Sequence, residues 1–419
     1  MIIVWPKDST NIKPGRINFP YRLTRLYEVI DYLSKKNISV DYYDMEMQNG
    51  HFNNLIYKII NKKIKNVIFY VSFENITNVI LYIDYIKKID SKIKCFVYGE
   101  VPGISIDYFE DYNVDGVFIQ NKDIECTFED IYKYENNIIK YEDICGMAFI
   151  KNHDIYKINE GKYMSIDSWG FPHDKYFSYE ELRKKGEDDQ ITFTISKGCP
   201  FGCEYCLTKK VEGNVLRKRK IDDIINFINQ SEHTKFKFFS AIFTADKGYV
   251  KELCKRIITN GKKISWSCCT RADMLLDEDM IKLMKKSGCY KISVGIESLS
   301  NNDLNEINKS SSSDIIIKSI KLVKKYDIDY KGLIMIGIPN QNRNDLYNTI
   351  NTLYKLGVSI RPTAYTPLFD IKKGMKPEEI LKYNKWTYYN NNSNISEREI
   401  LILVNDLSKY NILKGDNND

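Results

Sequence analysis

The amino-acid sequence predicts an α/β protein: a Rossmann-like, doubly wound parallel sheet, then a partial (β/α)6 barrel of the TIM type, then a short helical C-terminal tail. Three observations lead there. Short β-branched or aromatic runs alternate with segments of helical period along most of the 419 residues. The alternation is interrupted once, from residue 136, and then starts again. The chain is 43% hydrophobic and 13% aromatic, which supplies packed cores and excludes a disordered polymer.

In the first series, residues 1–135, the strand candidates are 2–5, 38–43, 66–72, 94–98 and 116–119. Between them, 21–35 places apolar residues at 23, 26, 27, 30 and 33, the spacing of one helix face, and 75–89 does the same. Strands joined by helical crossovers lie parallel, with helices on both faces of the sheet. Its ligands sit at the carboxyl ends of the strands. Residues 136–188 break the rhythm. There 144–150 and 155–158 flank the turn Asn152-His153-Asp154 as a hairpin, 166–172 is irregular, and the region reads as a linker. The second series, 189–370, has strand candidates at 191–196, 236–243, 264–269, 290–296, 332–337 and 360–365. Helical segments at 222–228, 247–258, 277–286, 313–325 and 345–356 separate them. Six βα units fit a partial barrel, whose sites gather at the strand C-termini. Residues 371–419 read as a helical tail.

Composition narrows the function classes. A net charge of +6 is mild over this length and does not by itself argue for a nucleic-acid partner, which would need a concentrated basic face and is not expected. The run Arg217-Lys218-Arg219-Lys220 precedes a helical segment and reads as a solvated or cofactor-proximal face. No stretch approaches the ~18 uninterrupted apolar residues of a membrane span. The N-terminus lacks the shape of a signal peptide, so a cytoplasmic protein is expected. In that compartment the ten cysteines are thiols or metal ligands rather than disulfides.

Three of them stand together. Strand 191–196 runs into Lys197-Gly198-Cys199-Pro200-Phe201-Gly202-Cys203-Glu204-Tyr205-Cys206, a loop by its glycines and proline. Three thiolates at this spacing suit a soft metal or an iron–sulfur cluster. The competing readings are buried thiols, or a structural zinc, which needs a fourth ligand. The next candidates for one are His233 and Cys254.

Cys199-x-x-x-Cys203-x-x-Cys206, with Tyr205 before the last cysteine, resembles the radical S-adenosylmethionine (SAM) superfamily. The resemblance continues through Trp266–Asp273, Val294-Gly295-Ile296-Glu297-Ser298, Ile307-Asn308-Lys309, Ile336-Gly337-Ile338-Pro339 and Pro362–Pro367. These match a branch with an N-terminal cobalamin-binding-like domain, which would occupy residues 1–135. The resemblance implies a [4Fe-4S] cluster on Cys199, Cys203 and Cys206, with one iron open to SAM and a 5′-deoxyadenosyl radical as product of its reductive cleavage. It implies Tyr205 near the adenine, Glu297 on the ribose hydroxyls or amino group, Arg271 on a carboxylate, and Gly337 and Pro339 shaping a turn near the adenine. It also implies a small-molecule or peptide substrate and a reducing partner such as flavodoxin or ferredoxin.

For cobalamin the matches are mixed. Ser72 ends the third strand, where relatives place a hydroxyl near the cofactor, and Gly99 opens a turn resembling theirs. The loop 7–12 has no histidine to ligate cobalt, and 120–125 lacks the relatives' glycines. Paired aspartates common at the second barrel strand are also missing, with Asp246 the nearest acid. No cysteine lies beyond Cys289, so a single cluster is expected. The leading expectation is cobalamin-dependent methylation of an unactivated carbon. A cobalamin-independent oxidation, rearrangement or cyclisation is the alternative, and a metal-stabilised binding or scaffold protein the reading from another class.

Overall fold

The computed structural model describes residues 1–9, 22–48, 50–184, 190–367 and 371–415. Tyr21 at the start of the first expected helix, and the part of loop 7–12 from Thr10 on, lie outside them, as do residues 185–189, 368–370 and 416–419 at the ends of the expected segments.

The first sheet contains β1 (Ile2–Trp5), β2 (Asp41–Asp44), β3 (Asn66–Val71), β4 (Lys94–Gly99) and β5 (Gly116–Phe118), all parallel, in the order β2-β1-β3-β4-β5. This is the doubly wound arrangement, with its switch point between β1 and β3. The strands are buried on both faces, as apolar runs between two helix layers must be. The helix over 21–35 differs at its start: a π-helical turn, Leu23–Tyr27, leads into the α-helix Glu28–Lys35.

The hairpin expected inside a linker belongs to this sheet. Strands β6 (Met147–Lys151) and β7 (Asp154–Asn159) add to its edge, β6 antiparallel to β5, giving seven strands. The buried residues Met147, Ala148 and Phe149 need a sheet to cover them, which a free hairpin lacks. The irregular stretch 166–172 is packed as well: Trp169 is fully buried, and the Phe171 ring stacks on Phe227 at 4.4 Å.

The strands of the second sheet are β8 (Ile191–Thr194), β11 (Lys235–Phe239), β12 (Ser265–Arg271), β13 (Cys289–Glu297), β14 (Asp329–Ile336) and β15 (Ser359–Ala364). They are all parallel, in the order β15-β14-β13-β12-β11-β8, and the sheet is open between its two ends. A short antiparallel ribbon, β9 (Ser196–Lys197) with β10 (Arg217–Lys218), frames the cysteine loop. Side chains such as Phe238, Trp266, Ile292 and Ile334 pack outward on the helices, in one core with Ile224, Leu253, Ile281 and Ile350. Side chains at alternate positions face the barrel interior, half-buried along much of β13 and β14.

Among its described residues the tail holds two helices, Pro377–Ile380 and Glu397–Gly415, with irregular chain between. It crosses back onto the first sheet's layer: the Tyr112 hydroxyl donates to the Met375 carbonyl at 3.1 Å, and Ile371 and Ile380 join that layer's core. Among the described residues no helix is long and apolar enough to cross a membrane.

Candidate active site

The cysteine loop hangs from the β9–β10 ribbon, whose register pairs Lys197 with Arg217. Gly198 has φ +87°, and a Cβ there would lie 2.1 Å from the Val215 carbonyl oxygen, so only glycine turns the chain at this point. The Cys199 N–H donates to the Gly213 carbonyl at 3.1 Å, and the Cys206 N–H to the Cys203 carbonyl at 3.2 Å. Cys199 is buried, and Cys203 and Cys206 are half-buried. Burial pushes the Cys199 thiol up, and the neighbouring Cys206 and Cys203 push the same way. Arg271, from the end of β12, offsets that charge: its Nη1 lies 3.7 Å from the Cys203 Sγ. Its guanidinium stacks on the Phe201 ring at 3.9 Å and is anchored by Asp273 at 2.9 Å and the Ser310 carbonyl at 2.6 Å.

Among the described residues no three Cys, His, Asp or Glu side chains converge on a point as a single ion requires. Three separate thiols on a loop with open space at Gly202 fit a polynuclear iron–sulfur cluster, whose ligands attach to different irons. They fit a tetrahedral zinc poorly.

Glu297 ends β13 at a register shift and has φ +64°, which few residues other than glycine adopt. That backbone swings its carboxylate over Gly295, where a Cβ would meet Glu297 Oε1 at 2.6 Å and Lys309 Nζ at 3.0 Å. The Tyr205 hydroxyl donates to Glu297 Oε1 at 3.0 Å, and Lys309 Nζ donates to the same oxygen at 3.1 Å and to the Tyr205 hydroxyl at 3.2 Å. Burial first, and then the Glu297 charge, push the Tyr205 phenol well up, so it stays a donor. The aromatic residue of the cysteine motif is thus locked to the fourth barrel strand.

The sequence pattern of the radical SAM superfamily matches residues 193–353, which run from β8 through the helix Arg343–Lys355 and include the loop and the Tyr205–Glu297–Lys309 triad. The barrel is a radical SAM domain. Similar proteins include an uncharacterized methyltransferase of Pyrococcus horikoshii, 25% identical over 56% of this chain and 52% of its own length. An anaerobic magnesium-protoporphyrin IX monomethyl ester cyclase of Cereibacter sphaeroides is 24% identical over 61% of this chain and 44% of its own. A bacteriochlorophyllide d C-12(1)-methyltransferase of Chlorobaculum tepidum is 23% identical over 57% and 54%. The chain thus spans about half the length of these curated relatives. Among solved structures, the radical SAM methyltransferase TsrM from Kitasatospora setae, with cobalamin and a [4Fe-4S] cluster bound, superposes with a TM-score of 0.70 at 12% identity over 88% of this chain and 73% of that one. The cobalamin-dependent radical SAM enzyme OxsB gives 0.71 at 16% identity over 98% and 61%. The two-sheet arrangement is therefore the fold of these enzymes.

The remaining expected residues have contacts of their own. In the radical SAM domain Gly337, with φ +83°, follows β14; its N–H donates to Gln341 Oε1 at 2.8 Å, and Ile400 of the last helix covers it. Half-buried Pro339 shares that turn, where the Asn340 N–H donates to the Asn392 carbonyl at 2.9 Å. Ser72 and Gly99 sit at the carboxyl edge of the first sheet. There Ser72 Oγ, Glu74 Oε2 and Thr77 Oγ1 are buried without a hydrogen-bond partner among the described residues. Burial first, and then neighbouring Glu74, push the carboxyls of Asp8 and Glu100 up to about 7. Orphaned oxygens fit a ligand that carries many N–H or O–H donors, as the amide-fringed corrin ring of cobalamin does. On the β5 side the edge is closed: Gly99, with φ +126°, donates to Gln120 Oε1 at 3.0 Å and accepts from its Nε2 at 2.7 Å.

One reading is corrected. The basic run is a solvated face only in part: Arg217 and Arg219 turn inward, while Lys218 and Lys220 face outward. Arg219, 1% exposed, donates to the carbonyls of Thr194, Trp169 and Gly170 at 2.8 to 2.9 Å and lies 3.8 Å from Glu28, and buried Arg217 pairs with Asp123. Lys218 and Lys220 reach instead to Asp246 and Asp167. Asp246 also caps its helix, accepting the Tyr249 N–H at 2.9 Å, a structural task. Sequence reasoning did not single out Lys309, Lys197, Asp123, Glu125 or Glu212. Lys309 was legible in the Ile307-Asn308-Lys309 segment; the rest acquire meaning only from partners distant in the chain.

Proposed function

We propose that this chain is a radical SAM enzyme that functionalises an unactivated carbon, with cobalamin-dependent methylation as its reaction. The observation that carries the reading is the joining of the three-cysteine loop to Glu297 and Lys309 through Tyr205, in a chain whose first sheet has an edge with oxygens orphaned among the described residues. When bound, the cluster supplies the single electron that splits the sulfonium C–S bond of SAM into methionine and a 5′-deoxyadenosyl radical. A methyl-carrying cobalamin at the first sheet would supply the group transferred.

The chain's own residues bind and orient. Cys199, Cys203 and Cys206 ligate, and Arg271 neutralises charge beside Cys203 and presents a donor to a carboxylate. Glu297, held by Lys309, keeps a second carboxylate oxygen for the hydroxyl or ammonium groups of SAM. The turn at Gly337 and Pro339 would border the adenine. Thr363, Met335 and Leu333 on the inner face would bound the substrate. The substrate is a small molecule or peptide, and a flavodoxin- or ferredoxin-type protein in a reducing cytoplasm supplies electrons.

The Gln120–Gly99 clamp favours a second reading, a radical SAM enzyme without cobalamin that oxidises or cyclises. Expression with cobalamin, anaerobic reconstitution and metal analysis separate the two. Cobalt bound stoichiometrically, with about four irons and 5′-deoxyadenosine on reduction with SAM, supports the first. An active, cobalt-free protein supports the second.

A further inference from the structure

We infer that Glu212 is a positioning residue for the cysteine loop: it ties Gly198–Cys199 to the first sheet and sets the charge beside the cluster. The inference rests on the reading of Cys199, Cys203 and Cys206 as cluster ligands.

Glu212 ends the short helix Thr208–Glu212 that comes after the loop, and it is buried. Its two carboxylate oxygens look in different directions. Oε2 accepts the Gly198 N–H at 3.3 Å, the amide just before Cys199. Oε1 accepts Nη2 of Arg25 at 2.8 Å. Arg25 comes from the other sheet's layer and lies in the π-helical turn Leu23–Tyr27, a backbone irregularity frequent at functional sites. Its carbonyl accepts the Tyr98 hydroxyl at 3.2 Å, and Tyr98 precedes Gly99 on β4. A continuous hydrogen-bonded path therefore runs from the ligand edge of the first sheet to the amide beside a cluster ligand. A second strut lies alongside: Lys197 pairs with Asp123 and Glu125, and Arg217 pairs with Asp123 while donating to the Glu212 carbonyl at 3.4 Å.

Hydrogen bonds to cluster sulfurs and nearby charge set the reduction potential of an iron–sulfur centre. Glu212 draws the Gly198 N–H to itself and places a carboxylate beside the loop, with Arg25 as counter-charge. Both effects of Glu212 hold the potential down, in the direction reductive cleavage of SAM requires, while Arg25 opposes them. A buried ion pair is a costly way to brace a loop, since an apolar pair avoids the desolvation. The two partners therefore act on the cluster with opposite signs.

The test uses the full chain, reconstituted anaerobically, as wild type, Glu212→Gln, Arg25→Gln and the double variant. Iron content, the electron paramagnetic resonance spectrum of the reduced cluster and its midpoint potential are measured. Iron stays at the wild-type level, Glu212→Gln raises the potential, Arg25→Gln lowers it, and the double variant returns toward wild type. Unchanged potentials, or shifts of both single variants in one direction, overturn the proposal. Loss of iron from both leaves only the tie to the first sheet and overturns the charge effect. A wild-type chain that assembles no cluster defeats the cluster reading instead.

Discussion

The two sheets are read from the same strand–helix alternation, yet they use their faces differently. In the first, β1 and β3 are buried at every residue, because helices cover both sides. In the second, β11 and β14 alternate buried and half-buried positions, because helices cover one side and the interior is open. A sheet covered on both faces can offer a ligand only its edge, and the unusual groups of the first sheet, Ser72 Oγ and Glu74 Oε2, lie there. A curved sheet with a bare inner face can offer strand side chains, and Arg271 and Glu297 are such residues. The proposed chemistry is divided accordingly: reactive machinery on the second sheet, a docking edge on the first.

Substitutions can break or sharpen this contrast. The largest effect is expected from Cys203→Ala on the second sheet's loop: iron falls from about four per chain toward zero and 5′-deoxyadenosine production disappears, while circular dichroism stays that of the wild type. Next, Glu297→Gln removes a charge that Lys309 faces. It should weaken SAM binding about 10- to 100-fold, in keeping with about 1.5–3 kcal/mol for charged hydrogen bonds, read as KM for SAM cleavage. The neighbours Ile334 and Leu333 test the faces themselves. Ile334→Ala opens the buried, helix-facing core and should cost about 2–5 kcal/mol in urea unfolding. Leu333→Ala on the half-buried inner face should cost less than about 1 kcal/mol; equal losses would refute the one-sided sheet.

The last effect, spread over a pH range rather than read at one pH, concerns the seam between the sheets. Burial pushes the Glu28 carboxyl from 4.5 up to about 7, with Arg219 pulling the other way. Between those values the folded chain keeps a proton that the unfolded chain has lost. Stability contributed at this site is therefore greatest below pH 4.5 and falls as pH rises through about 7, by at most about 3 kcal/mol. Glu28→Gln keeps acceptance of the Thr194 N–H, seen at 2.7 Å, and should flatten that slope in unfolding measured between pH 5 and 8.

Much of the site was legible in the chain. The spacing of Cys199, Cys203 and Cys206 puts three thiols on one loop, whatever packs around it. Tyr205, Arg271 and Glu297 were found through their motifs, and they do gather at that loop. The motif around Gly337 marked a turn correctly but not its cover, because Ile400 arrives from 63 positions further along. The stretch around Trp169 reads as irregular and unremarkable. In the fold Lys197, Arg217 and Arg219 lie over its ring at 4.7, 5.5 and 5.6 Å, and Gly170 touches the Glu28 backbone so closely that a Cβ would sit 2.0 Å from its carbonyl oxygen.

The sequence alone determined the features that obey local rules: the period of apolar residues, the glycines of the cysteine loop and its thiols, and hence two βα series and a loop of three cysteines. Only the tertiary structure decided that the hairpin is a sheet edge, that Arg217 and Arg219 are buried, and that Glu212 joins Arg25 to Gly198. The physical reason is the same each time. Exposed backbone edges and charges are costly to bury without partners, and those partners lie up to 187 positions away, where no local pattern records them.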